Sequence, residues 1–124
     1  MLKKLLLISL TLTMLLVTSC TNNAQGIEDT VRGFFQAYAN RQFSKCLDYL
    51  SSELRVKEGD ENLLNRLKSD RFWAVRATLS GIGEPQINGA NATVLVDYEV
   101  LFVQIKTIKV TLIKESGKWK ISEL

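Results

Sequence analysis

The chain is predicted to be α+β, with N-terminal helices packed on one face of a curved antiparallel sheet. Three observations lead there. Apolar residues recur at helical spacing from residue 27 to about residue 67, and from Phe72 onward they recur at every second position. The change of period happens once, so helices come first and strands afterwards. Near the C-terminus, "ESGKWKI" carries the clearest hairpin signal, with Ser116-Gly117 as its turn.

Ahead of the first helix lies a targeting segment. Lys3 and Lys4 are followed by an uncharged apolar run over residues 5–17. That run is shorter than the ~20 residues a membrane-spanning helix needs, and it has no polar face to present outside a small domain. It reads as the core of a signal peptide covering residues 1–19. The run ends in "VTSC", which resembles the lipobox of bacterial lipoproteins, an aliphatic residue and two small ones before a cysteine. The resemblance implies cleavage before Cys20, a lipid on its sulfur, and attachment to the outer side of a bacterial membrane. Two or three acyl chains make such an anchor stable where one does not. Where the host has an outer membrane, Thr21 behind the cysteine implies sorting to it. Residues 20–26 then read as the lipidated cysteine and a flexible tether, about 13 Å from end to end as a coil.

Residues 27–124 form the domain. In "IEDTVRGFFQAYA", Ile27, Val31, Phe34, Phe35 and Tyr38 make one apolar helix face, with Glu28 and Asp29 near its start and Asn40 as a left-handed stop. Ser44 caps a second helix whose stripe is Leu47, Leu50 and Leu54. Gly59 breaks the chain, and Asp60 caps a short third helix through Leu63, Leu64 and Leu67.

The strands begin with "FWAVRATLSGIG", and Pro85 and Gly89 mark a loop. In "ATVLVDYEVLFV", Val94, Val96, Tyr98, Val100 and Phe102 face inward. In "TIKVTLIKE", Ile108, Val110 and Leu112 do so, after a turn near Gln104. The last strand buries Trp119 and Ile121. This order, the closing "LIKESGKWKI" and the helical "VRGFFQAYANRQFSKCLDYLSSEL" resemble the NTF2-like superfamily, in particular small lipoproteins with a domain of unknown function in that fold. The resemblance implies a cone enclosed between sheet and helices, with Phe35, Tyr38, Trp73 and Tyr98 as the candidate ligand-lining residues.

Composition narrows the function. Removing residues 1–19 leaves 105 residues, one domain's worth, and takes Lys3 and Lys4 from the 16 basic side chains, leaving 14 against 13 acidic ones. That near-balance offers nucleic acid no electrostatic footprint. The chain has no histidine, which removes Ser-His and Cys-His pairs and the usual neutral-pH base. Cys46 is the only cysteine besides Cys20, so neither a disulfide within the mature domain nor a structural zinc site is expected. Beside Leu47 and Leu50 it reads as a small core residue. No cofactor and no catalytic residue is assigned.

Tyr38 and Tyr98 are the polar groups the cone offers, and both also read as core aromatics whose hydroxyls find a rim or backbone partner. Asp97 points to the opposite face from Tyr98, so the two cannot form an acid/base pair. Arg76 reads as a solvated outer-face residue, and the lysines of the sheet as solubilising groups. Leu95, Leu101 and Ile113 interrupt the polar outer face and are the candidate interface, for a homodimer or another protein. The functional expectation is a lipid-anchored, non-enzymatic binding module, taking a small apolar ligand in the cone or a protein partner at the sheet. The alternative is a small enzyme of isomerase or dehydratase type using the cone.

Overall fold

The structure, a computed structural model, describes residues 22–69, 78–100 and 104–123. Four helices pack against a five-stranded antiparallel sheet. Helix α1 covers residues 22–39, α2 Phe43–Cys46, α3 Ser52–Glu58 and α4 Asp60–Ser69, with a 3-10 turn at Leu47–Tyr49. The strands are β1 Thr78–Ile82, β2 Gln86–Asn88, β3 Asn91–Val100, β4 Gln104–Glu115 and β5 Lys118–Glu123, in spatial order β1-β3-β4-β5, with β2 also paired to β3. Among the described residues, no helix is long and apolar enough to cross a membrane.

Helix α1 buries the face the periodicity predicts. Ile27, Val31, Phe34, Phe35 and Tyr38 all lie in one core with Val94, Val96, Val110, Leu112, Trp119 and Ile121 of the sheet. Period-two alternation explains the sheet's share: Ala92, Val94, Val96 and Tyr98 of β3 are buried, and Leu95 between them is exposed. Two register shifts, at Leu79/Gly81 and at Thr111/Leu112, put an extra residue in β1 and in β5. Bulges of this kind bend a strand and increase its local twist. The β4–β5 turn has positive φ at both Ser116 (49°) and Gly117 (80°), the geometry a two-residue hairpin loop requires.

Several expectations are corrected. Residues 22–26 are not a coil: α1 already includes them. A Cβ on Gly26 would come within 3.1 Å of the Trp119 ring, so helix and sheet approach closely at this glycine. Thr30 holds the same seam, its hydroxyl donating to the Gly26 carbonyl at 3.0 Å and the Trp119 carbonyl at 2.9 Å. Tertiary docking outweighs the ~1 kcal/mol that a mid-helix glycine costs relative to alanine.

The left-handed residue after α1 is Arg41 (φ 58°), not Asn40, whose N–H still bonds the Gln36 carbonyl. The single second helix expected from Ser44 is instead three pieces. Helix α2 starts at Phe43 without a side-chain cap, the 3-10 turn follows, and Leu50 is extended. The cause is the sheet: Leu50 bridges Ile121 in parallel, and the Ser51 N–H bonds the Ile121 carbonyl at 2.8 Å. These contacts cover the β5 edge, which would otherwise present unpaired groups. Ser51 then caps α3 by accepting from the Leu54 N–H.

Gly59 breaks the chain as expected (φ 82°), but Asp60, the first residue of α4, pairs with Arg55 at 2.8 Å. Pro85 and Gly89 flank a short strand, β2, rather than one loop. The first expected strand is described only from Thr78, so Phe72, Trp73 and Arg76 lie outside the described residues, as do Leu101 and Phe102.

Trp119 is 95 % buried against α1, with Ile121 beyond it. Trp119→Ala should cost about 3–5 kcal/mol, a large share of a small domain's stability. Urea denaturation checks this; an unchanged midpoint would contradict the seam.

Candidate functional site

The cone candidates divide into those the structure brings together and one it does not describe. Phe35 and Tyr38 come from one face of α1, and Tyr98 from the inward side of β3. Phe35 and Tyr98 stack with ring centroids 6.5 Å apart at 27°, and Phe34 meets Phe35 edge-on at 5.6 Å. Such arrangements add to area burial because the ring quadrupoles favour offset or T-shaped contact. Tyr38 packs edge-on against Phe43 at 5.6 Å, and its hydroxyl donates to the Leu67 carbonyl at 3.1 Å, tying α1 to the end of α4. Phe35, Tyr38 and Tyr98 are therefore buried aromatics, Phe35 stacked on Tyr98 and Tyr38 packed on Phe34 and Phe43. Trp73 lies outside the described residues.

Cys46 sits in the same core with no exposed surface, its thiol 3.9 Å from the Phe34 carbonyl. Burial pushes its pKa from 9.0 up to about 11, and a hydrogen bond within its own backbone offsets a little of that. A thiol held protonated in this way is a packing group, not a nucleophile.

On the outer face, register decides what the apolar residues can do. Leu95 lies opposite Lys109 and Ile113 opposite Asn91, with the Thr93–Thr111 pair between those rungs. Ile105, opposite Glu99, is a further outward apolar residue, separated from Leu95 by the Asp97–Thr107 pair, whose side chains hydrogen-bond at 2.5 Å. Leu95 is 57 % and Ile105 65 % exposed. Leu95 is thus flanked by two polar rungs, Thr93–Thr111 and Asp97–Thr107. Sequence reasoning missed Ile105, although outward alternation from Val110 reaches it.

Two surface clefts flank β5. One, of about 500 Å³, lies between the start of α1 and the β4–β5 hairpin, with Asn23, Gly26, Lys114, Lys118, Trp119 and Lys120 in its wall. Lys114 reaches across it, donating to the Asn23 side-chain oxygen at 3.0 Å while its Nζ stands 5.8 Å from the Trp119 ring centroid. The other, about 450 Å³, includes Ser52, Arg55, Val56, Glu115 and Lys120. There the Ser52 hydroxyl and N–H both donate to Glu115, holding its carboxyl below the usual range. Among the described residues, no group of three or more metal-ligating side chains converges.

No family model matches the chain, and no curated protein matches it. Solved structures do. A Campylobacter jejuni protein described as an NTF2-like transpeptidase superposes with a TM-score of 0.51 at 18% identity, over 78% of this chain and 97% of that one. A SEC-C motif containing protein from Rhodopseudomonas palustris gives a TM-score of 0.49 at 17% identity, over 76% and 73% of the two chains. The fold is NTF2-like.

The raised Cys46 pKa has a signed consequence. The folded state keeps the thiol proton beyond pH 9, where the unfolded chain releases it, so this contribution is complete below about pH 9 and is lost as pH rises through about 11. Cys46→Ala should therefore show a flatter fall of unfolding free energy between those pH values than the parent, measured by urea denaturation across that range.

Proposed function

We propose that this chain is a lipid-anchored, extracytoplasmic binding or accessory module of NTF2-like fold, one that holds a partner rather than transforming a substrate. The observation that carries the reading is "VTSC" at residues 17–20, behind a charged start and an uncharged apolar run. Cys20 would carry the lipid on the outer side of a bacterial membrane, the outer membrane where the host has one.

Binding is favoured over catalysis by what the candidate groups already do. Tyr38 spends its hydroxyl on Leu67, Asp97 faces outward to Thr107, and the chain has no histidine. The activity in the Campylobacter protein's description does not come with a thiol here. Thiol-based acyl transfer needs an accessible thiolate, and Cys46 is buried with its pKa raised. The partner is either a small apolar molecule in the cone or a protein at the outer sheet face, where Leu95 and Ile105 are exposed.

Cys20→Ser should abolish incorporation of labelled palmitate and either release the protein from the membrane fraction or stall it unprocessed, because the acyl chains supply nearly all of the mature protein's membrane affinity. Retention of both label and membrane association would refute the anchor. For the sheet, sedimentation of the unlipidated Cys20→Ser protein should show self-association at tens of micromolar that a Leu95→Lys, Ile105→Lys pair abolishes. A monomer in both cases would leave the cone as the binding surface.

A further inference from the structure

We infer that the end of the domain built from the start of α1 and the β4–β5 hairpin faces the bilayer and takes the phosphate headgroups of anionic lipids through Lys114, Lys118 and Lys120. This rests on the Cys20 anchor proposed above and adds an orientation to it.

Chain geometry comes first. Asn22 is already helical, and Cys20 precedes it by two residues. An extended chain spans at most ~3.6 Å per residue, so the lipidated residue lies within about 7 Å of Asn22. Acyl chains inserted there bring the start of α1 to headgroup level. That start is fixed to the hairpin: Gly26 lies against Trp119, Thr30 bonds the Trp119 carbonyl, and Asn23 accepts from Lys114. The hairpin therefore arrives at the membrane with the helix.

Charge supplies the specificity. Three lysines stand in the wall of the 500 Å³ cleft, and Asp48 is the one carboxylate there. Lys120 donates to the Asp48 backbone carbonyl and also lines the neighbouring cleft, where the Glu115 carboxylate, held ionised by Ser52, attracts it, so Lys114 and Lys118 carry most of the free positive charge. Lys114 and Lys118 are exposed. A second basic group, Arg41, Lys45 and Lys68, lies beyond the other end of α1. Eighteen helical residues at ~1.5 Å each separate the two ends by roughly 27 Å. Attraction to an anionic surface decays within roughly 8–10 Å at physiological salt. The anchor thus selects the hairpin lysines and leaves Lys45 and Lys68 as an internal control.

The test uses the lipidated protein on vesicles of phosphatidylcholine, with and without phosphatidylglycerol, and reads lysine acetylation rates by mass spectrometry. Lys114, Lys118 and Lys120 should react several-fold more slowly on the anionic vesicles, up to roughly fivefold for each lysine. Lys45 and Lys68 should not change, and high salt should erase the difference. Equal rates on both vesicles, or equal slowing at Lys45 and Lys68, would overturn the inference. Slowing by inorganic phosphate on neutral vesicles alone would make the cleft a free-anion site and overturn the membrane assignment. A chain whose intact mass shows no acyl groups, and which leaves the vesicles, defeats the anchor itself and this inference with it; that failure is visible before any lysine is labelled.

Discussion

The rest of the structure depends on the seam between Trp119 and the first two turns of α1. It is the point where the helical layer and the C-terminal hairpin close on each other, and a Cβ at position 26 would stand 3.1 Å from the Trp119 ring, which would have to give by a few tenths of an ångström. The Trp119 indole N–H finds no hydrogen-bond acceptor among the described residues. A buried unpaired donor costs about 1–3 kcal/mol, so the apolar body of the ring must more than offset it. Thr30 supplies the polar half of the seam by bonding both sides of it. With β5 held in this way, its outer edge can recruit Leu50 and Ser51, and that contact is what breaks the second helical segment.

The same closure shapes the interior. Helix α1 contributes an aromatic cluster of Phe34, Phe35 and Tyr38, and β3 contributes Tyr98 opposite it. These rings contact one another inside the buried core. Their polar atoms serve structure: the Tyr38 hydroxyl anchors the end of α4, and the Cys46 thiol stays protonated inside the core. Fold alone does not assign activity, since the same scaffold hosts unrelated functions and only the residues in the site decide.

The seam also fixes how the start of α1 sits on the sheet. Residues 22–26 are helical with Gly26 against Trp119, so the first turns of α1 and the β4–β5 hairpin form one end of the domain. The basic side chains fall into two groups. Lys114, Lys118 and Lys120 stand beside the start of α1, and Arg41, Lys45 and Lys68 lie near its other end.

The sequence by itself determined the α+β class, the buried face of α1, the inward Val94, Val96 and Tyr98 of β3 and Val110 and Leu112 of β4, and the Ser116-Gly117 hairpin. Each is a local matter of side-chain period or of turn residues that admit positive φ. It also placed Cys46 in the core. Tertiary structure decided the points where a distant partner outbids local preference. "TNNAQG" has no apolar period, yet residues 22–26 are helical because Trp119, more than ninety positions away in the chain, packs on Gly26. Leu47, Leu50 and Leu54 have helical spacing, yet Leu50 is extended because the β5 edge needs pairing. Leu95 and Ile113 were legible as outward residues, but their separation by the Thr93–Thr111 rung was not. Register between strands is set by pairing across the sheet, and periodicity along one strand carries no record of it.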